Sequence, residues 1–184
     1  GRNVCIDTKA PAVTFPEAQA DWAKEHKVVL GTTDNISGIK AIYSVWGVGE
    51  EVPAYPVAPN VDLSTNTVVT PEVSGTYKLY VKLEDNVGNT SGYVAPYTYM
   101  VDADLPVIEK DYTTEEGIVN EILVSATDSH SGVENIVYRW INENGAEVLN
   151  GNVEDGIKKP TSDGEYTIIL TATDKAGNKT EELF

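Results

Sequence analysis

Val28-Val-Leu-Gly-Thr-Thr-Asp34-Asn-Ile-Ser-Gly38-Ile-Lys-Ala-Ile42 returns 94 residues later as Ile122-Leu-Val-Ser-Ala-Thr-Asp128-Ser-His-Ser-Gly132-Val-Glu-Asn-Ile136. In each copy a short run of alternating character leads into an Asp-x-x-Ser-Gly turn and then into a second apolar run. Val28, Leu30 and Thr32 correspond to Ile122, Val124 and Ala126 on one strand, and both copies reach a tryptophan at the same distance, Trp46 and Trp140. Alternation with period two marks a half-buried strand, because successive side chains in extended chain point to opposite faces.

Working outward, the match continues. Asp7-Thr-Lys-Ala-Pro11 aligns with Asp102-Ala-Asp-Leu-Pro106. Gly75-Thr-Tyr77 through Asp85-Asn-Val-Gly88-Asn89 aligns with Gly164-Glu-Tyr166 through Asp174-Lys-Ala-Gly177-Asn178, now at an offset of 89, so the second copy has the shorter central segment. Tyr77, Leu79, Val81 and Leu83 alternate with Lys78, Tyr80, Lys82 and Glu84, and Tyr166, Ile168, Leu170 and Ala172 do the same with their neighbours. β-branched and aromatic residues fill these runs, and Gly, Pro, Asn and Asp separate them as turns. The single helix-like signal is Pro16-Glu17, which opens a short helix at most within Pro16–Lys27, anchored by Trp22. The reading is all-β, with an internal repeat.

Composition agrees. The 184 residues carry 29 acidic and 13 basic side chains, a formal net charge of −16, with 41% hydrophobic residues. Two units of this size can each bury a core. The acid excess argues against a nucleic-acid partner, since phosphate contacts need clustered Lys and Arg. No apolar run is long enough for a membrane span in this segment. One cysteine, Cys5, excludes an internal disulfide and a cysteine metal cluster. Cys5 reads as a buried thiol on a strand.

Order and spacing resemble an immunoglobulin-like sandwich. Gly75-Thr-Tyr77 and Gly164-Glu-Tyr166 look like its tyrosine corner. The Asp-x-x-Ser-Gly turns at Asp34–Gly38 and Asp128–Gly132, the Asp-x-x-Gly-Asn turns at Asp85–Asn89 and Asp174–Asn178, the Asp-x-x-x-Pro openings at Asp7 and Asp102, and Tyr138-Arg139-Trp140 are together similar to bacterial immunoglobulin-like tandem repeats of extracellular and cell-surface proteins, of adhesin or surface-layer-associated type. The resemblance implies two tandem Ig-like β-sandwich domains, residues 7–101 and 102–184. Residues 1–6 are then the last strand of a preceding repeat or an N-terminal strand. It implies a non-catalytic structural or adhesive segment of a larger secreted protein, a stalk or spacer located extracellularly, at the cell surface or in the cell wall. Its partners would be neighbouring Ig-like repeats of the same chain, and a surface glycan or host receptor. The alternative is an accessory carbohydrate-binding or spacer module of an extracellular polysaccharide-degrading enzyme. That reading draws on Trp22, Tyr43, Trp46, Tyr55, Tyr93, Tyr97 and Tyr99, and on the Pro-rich loop Gly47–Thr70 as a free surface.

The aspartates are the candidate site. In this topology the chain entry and two turns lie at one end, so Asp102, Asp104, Asp128 and Asp174 gather at the junction of the units, and Asp7, Asp34 and Asp85 at the entry to the first. Calcium, which wants six to eight oxygens from converging loops, suits such a set, although no cofactor is required. The competing reading is that each Asp caps its own turn. Asp128-Ser-His130-Ser131 contains triad residue types, but three residues on one turn do not converge as a triad does. No catalytic residue is assigned, and the chain reads as no enzyme. Asn35-Ile-Ser37, Asn89-Thr-Ser91 and Asn178-Lys-Thr180 match the glycosylation triplet and coincide with turns.

Overall fold

The computed structural model describes residues 3–17, 20–115 and 118–183. Among these the chain is all-β, with one 3-10 turn and no α-helix. It divides into two compact units: Gly1–Asp21 with Glu25–Val101, and Trp22–Lys24 with Asp102–Phe184.

In unit one the antiparallel sheet β4 (Ile39–Gly47), β6 (Gly75–Asp85), β7 (Thr90–Val101) forms one layer. The other is built from short pairs, β1 (Ala12–Thr14) with β3 (Gly31–Thr33), and β2 (Lys27–Val29) with β5 (Thr67–Val69). The first repeated run therefore breaks at Leu30 and changes partner there, its N–H donating to Asn66 O at 2.9 Å. Val28, Leu30, Ile42, Val68, Leu79, Val81, Leu83 and Tyr99 close the core between the layers. Each large side chain so buried contributes roughly 1.5–3 kcal/mol, which stands in for the missing disulfide.

Unit two pairs β8 (Val107–Glu115) with β9 (Ile118–Thr127) and sets them beside the sheet β11 (Glu147–Asn152), β10 (Val133–Asn142), β12 (Tyr166–Asp174), β13 (Lys179–Leu183). Ile108, Tyr138, Trp140, Ile168, Leu170 and Ala172 form its core, with Ile122, Val124 and Ala126 packed against it. The tyrosine corner is present twice. Tyr77 Oη donates to Val73 O at 2.9 Å and Tyr166 Oη to Ser162 O at 3.0 Å. Gly75 and Gly164 let each ring approach, because a Cβ there would lie 3.3 and 3.4 Å from its tyrosine.

The shorter central segment of unit two has a structural consequence. In unit one the segment ends in β5, which continues the sheet along β2, and Trp46 Nε1 donates to Val69 O at 2.8 Å. In unit two Trp140 Nε1 donates to Lys158 O at the same distance, but among the described residues no strand pairs with that side of β9. The Lys159 ammonium donates instead to Val119 O at 2.9 Å and Asn120 O at 2.6 Å.

Three expectations need correction. Val4–Asp7 forms no strand, with Val4 and Ile6 80% and 74% exposed, and Cys5 is exposed, not buried. No described strand lies alongside to take its hydrogen bonds, and an isolated strand has nothing to hold it. No helix forms in Pro16–Lys27 among the described residues, Ala18 and Gln19 lying outside them. So short a helix is marginal in water, and His26 is already committed to Thr70: its N–H donates to Thr70 Oγ1 and its C=O accepts from Thr70 N. The loop Gly47–Thr70 exposes most of its residues but is tethered to the sandwich at several points. Its Asn60 side chain accepts from Ser44 N at 2.8 Å and donates to Ser44 O at 2.9 Å, copying a strand neighbour along the edge of β4. Val61 then enters the core, and Pro53 lies over Gly47 beside the buried Tyr80.

Candidate metal centre

Each unit draws three aspartates together from its entry segment and two turns. In unit two Asp102, Asp128 and Asp174 each offer a carboxylate oxygen, and these oxygens lie within 4.8 Å of one another. In unit one Asp7, Asp34 and Asp85 do the same. Asp102, Asp174 and Asp85 are 0% exposed. Asp104 is not in the first of these sets. It faces His130 instead, as part of a separate cluster with Asp102.

The turns explain how the charges are held. Asp128 Oδ1 accepts from His130 N at 3.1 Å and Gly132 N at 2.8 Å, and Asp34 Oδ1 accepts from Ile36 N and Gly38 N at 3.1 and 2.6 Å. Gly38 and Gly132 sit at φ 80° and 79°, where a side chain would be strained, so the turn requires glycine. Asp174 takes Asn178 N on one oxygen and Asn178 Nδ2 on the other, at 2.8 and 2.7 Å; Asp85 and Asn89 repeat this. Asp102 Oδ2 accepts from Ser131 N at 2.9 Å, and Asp7 Oδ2 from Ser37 N at 3.0 Å, which ties the entry segment to the neighbouring turn. Burial pushes the Asp128 and Asp85 carboxyls up, but the N–H donors around them prevail and hold both below the usual range. The Asp7 carboxyl is lowered chiefly by its hydrogen bonding with Ser37.

Turn capping accounts for most of these oxygens but not all. Asp34 Oδ2 and Asp128 Oδ2, at matching positions of the repeat, are buried and have no hydrogen-bond partner. A buried ionised oxygen left without a donor is costly. Three carboxylates around such an atom fit a hard divalent cation with oxygen ligands. The donor set is therefore compatible with calcium in both units.

The triad residue types do not assemble. Ser131 Oγ donates toward Asp128 Oδ1 and accepts from Ala176 N. His130 Nδ1 faces Asp104. Asn89 and Asn178 of the glycosylation triplets spend their side-chain amides inside the turns, and Asn178 is buried. Trp22, Tyr43, Trp46, Tyr55, Tyr93, Tyr97 and Tyr99 are each buried or half-buried, with Trp46 packed edge-on against Tyr99 at 5.3 Å. What the residue pattern did not disclose is the His130–Asp104 contact; the differences between the repeats at those two positions were the available signal.

Two relatives of the same name, the serine-rich adhesin for platelets of Staphylococcus aureus strains MSSA476 and MW2, are each 29% identical to the chain over 185 residues. The match covers 97% of this chain and 8% of theirs, so the chain spans less than a tenth of those relatives. Among solved structures, fibronectin(III)-like modules of Clostridium thermocellum CbhA superpose with a TM-score of 0.41 at 14% identity, covering 94% of this chain and 91% of that one. Carbohydrate-binding modules from the β-sandwich superfamily give 0.35 at 15% identity, covering 97% and 96%. Likenesses of that degree carry no functional argument. The family model for a bacterial Ig-like domain matches residues 97–182, a span that takes in nearly all of unit two.

Proposed function

We propose that the chain is a pair of tandem Ig-like repeats, residues 7–101 and 102–184, that serve as a non-catalytic structural and adhesive segment of a larger secreted surface protein. The observation that carries this is the duplication of the same hardware in both units: three converging aspartates, two Asx turns, a tyrosine corner and a tryptophan bound to the following segment. Repetition of structural parts, with Ser131, His130 and Asp128 not converging as a triad, suits a spacer. The likeness to a staphylococcal adhesin supports a place outside the cell, at its surface or in its wall, with neighbouring repeats and a surface glycan or host receptor as partners. The accessory carbohydrate-binding reading has less support from the aromatic residues, since Tyr43 and Tyr99 are buried and Trp22, Trp46, Tyr55, Tyr93 and Tyr97 are half-buried.

Calcium belongs to the same proposal. Asp102, Asp128 and Asp174 in unit two, and Asp7, Asp34 and Asp85 in unit one, hold it through carboxylate oxygens, Asp34 Oδ2 and Asp128 Oδ2 gaining the partner they lack. A ligand bound only by the folded state raises stability in proportion to the logarithm of its concentration over Kd, about 2.7 kcal/mol at a hundredfold excess. Melting with millimolar calcium and with chelator tests this: a rise of several degrees is expected, and an unchanged Tm refutes it. Limited proteolysis of intact cells producing the parent protein tests the location; release of peptides from this chain is expected, and their absence until lysis counts against a surface role.

A further inference from the structure

We propose that unit two carries a second kind of metal site, one for a zinc-type divalent transition ion, formed by Asp102 Oδ1, Asp104 Oδ2 and His130 Nδ1. One ligand atom from each of the three residues lies within 4.8 Å of the other two. His130 Nδ1 stands 3.0 Å from Asp104 Oδ2 and 4.0 Å from Asp102 Oδ1. A tetrahedral zinc with bonds of about 2.0–2.2 Å sets its ligand atoms roughly 3.3–3.6 Å apart, a range the two distances bracket. The nitrogen is buried, and its short approach to Asp104 lacks hydrogen-bond geometry. The Trp22 ring, 5.1 Å from the imidazole and tilted by 54°, packs beside the His130 ring. Asp102 is held by Asp104 N at 3.1 Å and Ser131 N at 2.9 Å, while Asp104 is half exposed and free to close on an ion.

The chemistry separates this set from the carboxylate triads. Imidazole nitrogen suits zinc, copper, nickel and iron, whereas calcium and magnesium take oxygen. Two carboxylates and one imidazole leave a fourth position for water. Unit one provides an internal control, because at the matching positions it has Lys9 and Ile36, an ammonium and an alkyl chain, neither able to act here. Both differences fall on the two ligands that the triads do not use. The inference does not depend on calcium binding, though the shared Asp102 makes the two ions compete in unit two.

Titration of the full chain with zinc in a calorimeter, and with cobalt in a visible spectrophotometer, tests it. One zinc per chain, a cobalt band of tetrahedral intensity, and a shift of the His130 imidazole nitrogen but not that of the buried His26 are expected. His130→Ile, which copies unit one, weakens zinc at least about tenfold and abolishes the band, and Asp104→Asn weakens it without altering the far-ultraviolet dichroism. A calcium isotherm retained in His130→Ile separates failure of this site from failure of the triads. Zinc binding equal in wild type and His130→Ile, or only weak multiple binding across the acidic surface, overturns the proposal.

Discussion

Replacing Asn178 with alanine removes two hydrogen bonds from the interior of unit two while leaving the backbone turn in place. The amide Nδ2 donates to Asp174 Oδ2 at 2.7 Å and to Asp102 O at 2.9 Å, and the residue is 5% exposed. The bond to an ionised carboxylate is worth about 1.5–3 kcal/mol and the one to a carbonyl about 0.5–1.5 kcal/mol. Water does not readily replace them at a carboxylate with no exposed surface, so the loss should reach about 2–4 kcal/mol. For a unit of this size that lowers Tm by roughly 10–25 °C. Asn89→Ala is the matched comparison. Its Nδ2 donates to Asp85 Oδ2 at 2.7 Å but reaches Asp7 O and Lys9 O only at 3.3 Å, and the residue is half-buried. Calorimetry with hydrogen exchange to assign each transition should show Asn178→Ala costing more in unit two than Asn89→Ala costs in unit one. A loss below about 0.5 kcal/mol, or equal losses in the two variants, would show that burial of the aspartate–asparagine turn is not what stabilises it.

Other outcomes follow from the same geometry. Tyr77→Phe, which removes the hydroxyl that donates to Val73 O from a buried ring, should cost about 0.5–1.5 kcal/mol, and Tyr166→Phe, at a more exposed corner, less; urea midpoints decide it. Lys159→Ala should speed amide exchange in Val119–Leu123 of unit two and leave Lys27–Leu30 of unit one unchanged, since only the former relies on an ammonium in place of a strand. Acid should destabilise the chain through carboxyls lowered in the fold. Hydrogen bonding to Lys40 lowers Glu84, and the Ser64 N–H lowers Asp62. Because their folded pKa lies below the unfolded one, the stability they add is complete above the ordinary carboxylate range. It is lost as pH falls through the folded value, so urea midpoints should hold from pH 7 to about 5 and fall from about pH 4 downward.

The strands and corners were legible because they depend on nearby residues. Alternation at Tyr77–Leu83 and Tyr166–Ala172 identifies a half-buried strand from its own side chains, and the corner joins residues four apart. Tyr80 departs from that alternation: it sits on the outer face yet is buried, because the loop carrying Pro53 folds back over it. Val4–Asp7 and Tyr99–Asp102 are both apolar runs ending in Asp ahead of a Pro, yet only the latter reaches into a strand, β7, which lies along β6. Asp102, Asp128 and Asp174 come from turns that the repeat marks out, but the separation of Asp104 from them, the unpartnered oxygens and the approach of His130 to Asp104 depend on side-chain placement to within an ångström.

Turn chemistry, strand period and repetition are properties of short stretches, and for this chain they settle an all-β architecture with paired copies of each motif. Whether a given run becomes a strand, whether a loop lies free or folded down, and which buried oxygen lacks a donor are questions about what stands beside it in space. Residues far apart in the chain answer them, because hydrogen bonds and packing act between neighbours in three dimensions, and the central segments, of different length in the two units, bring different neighbours.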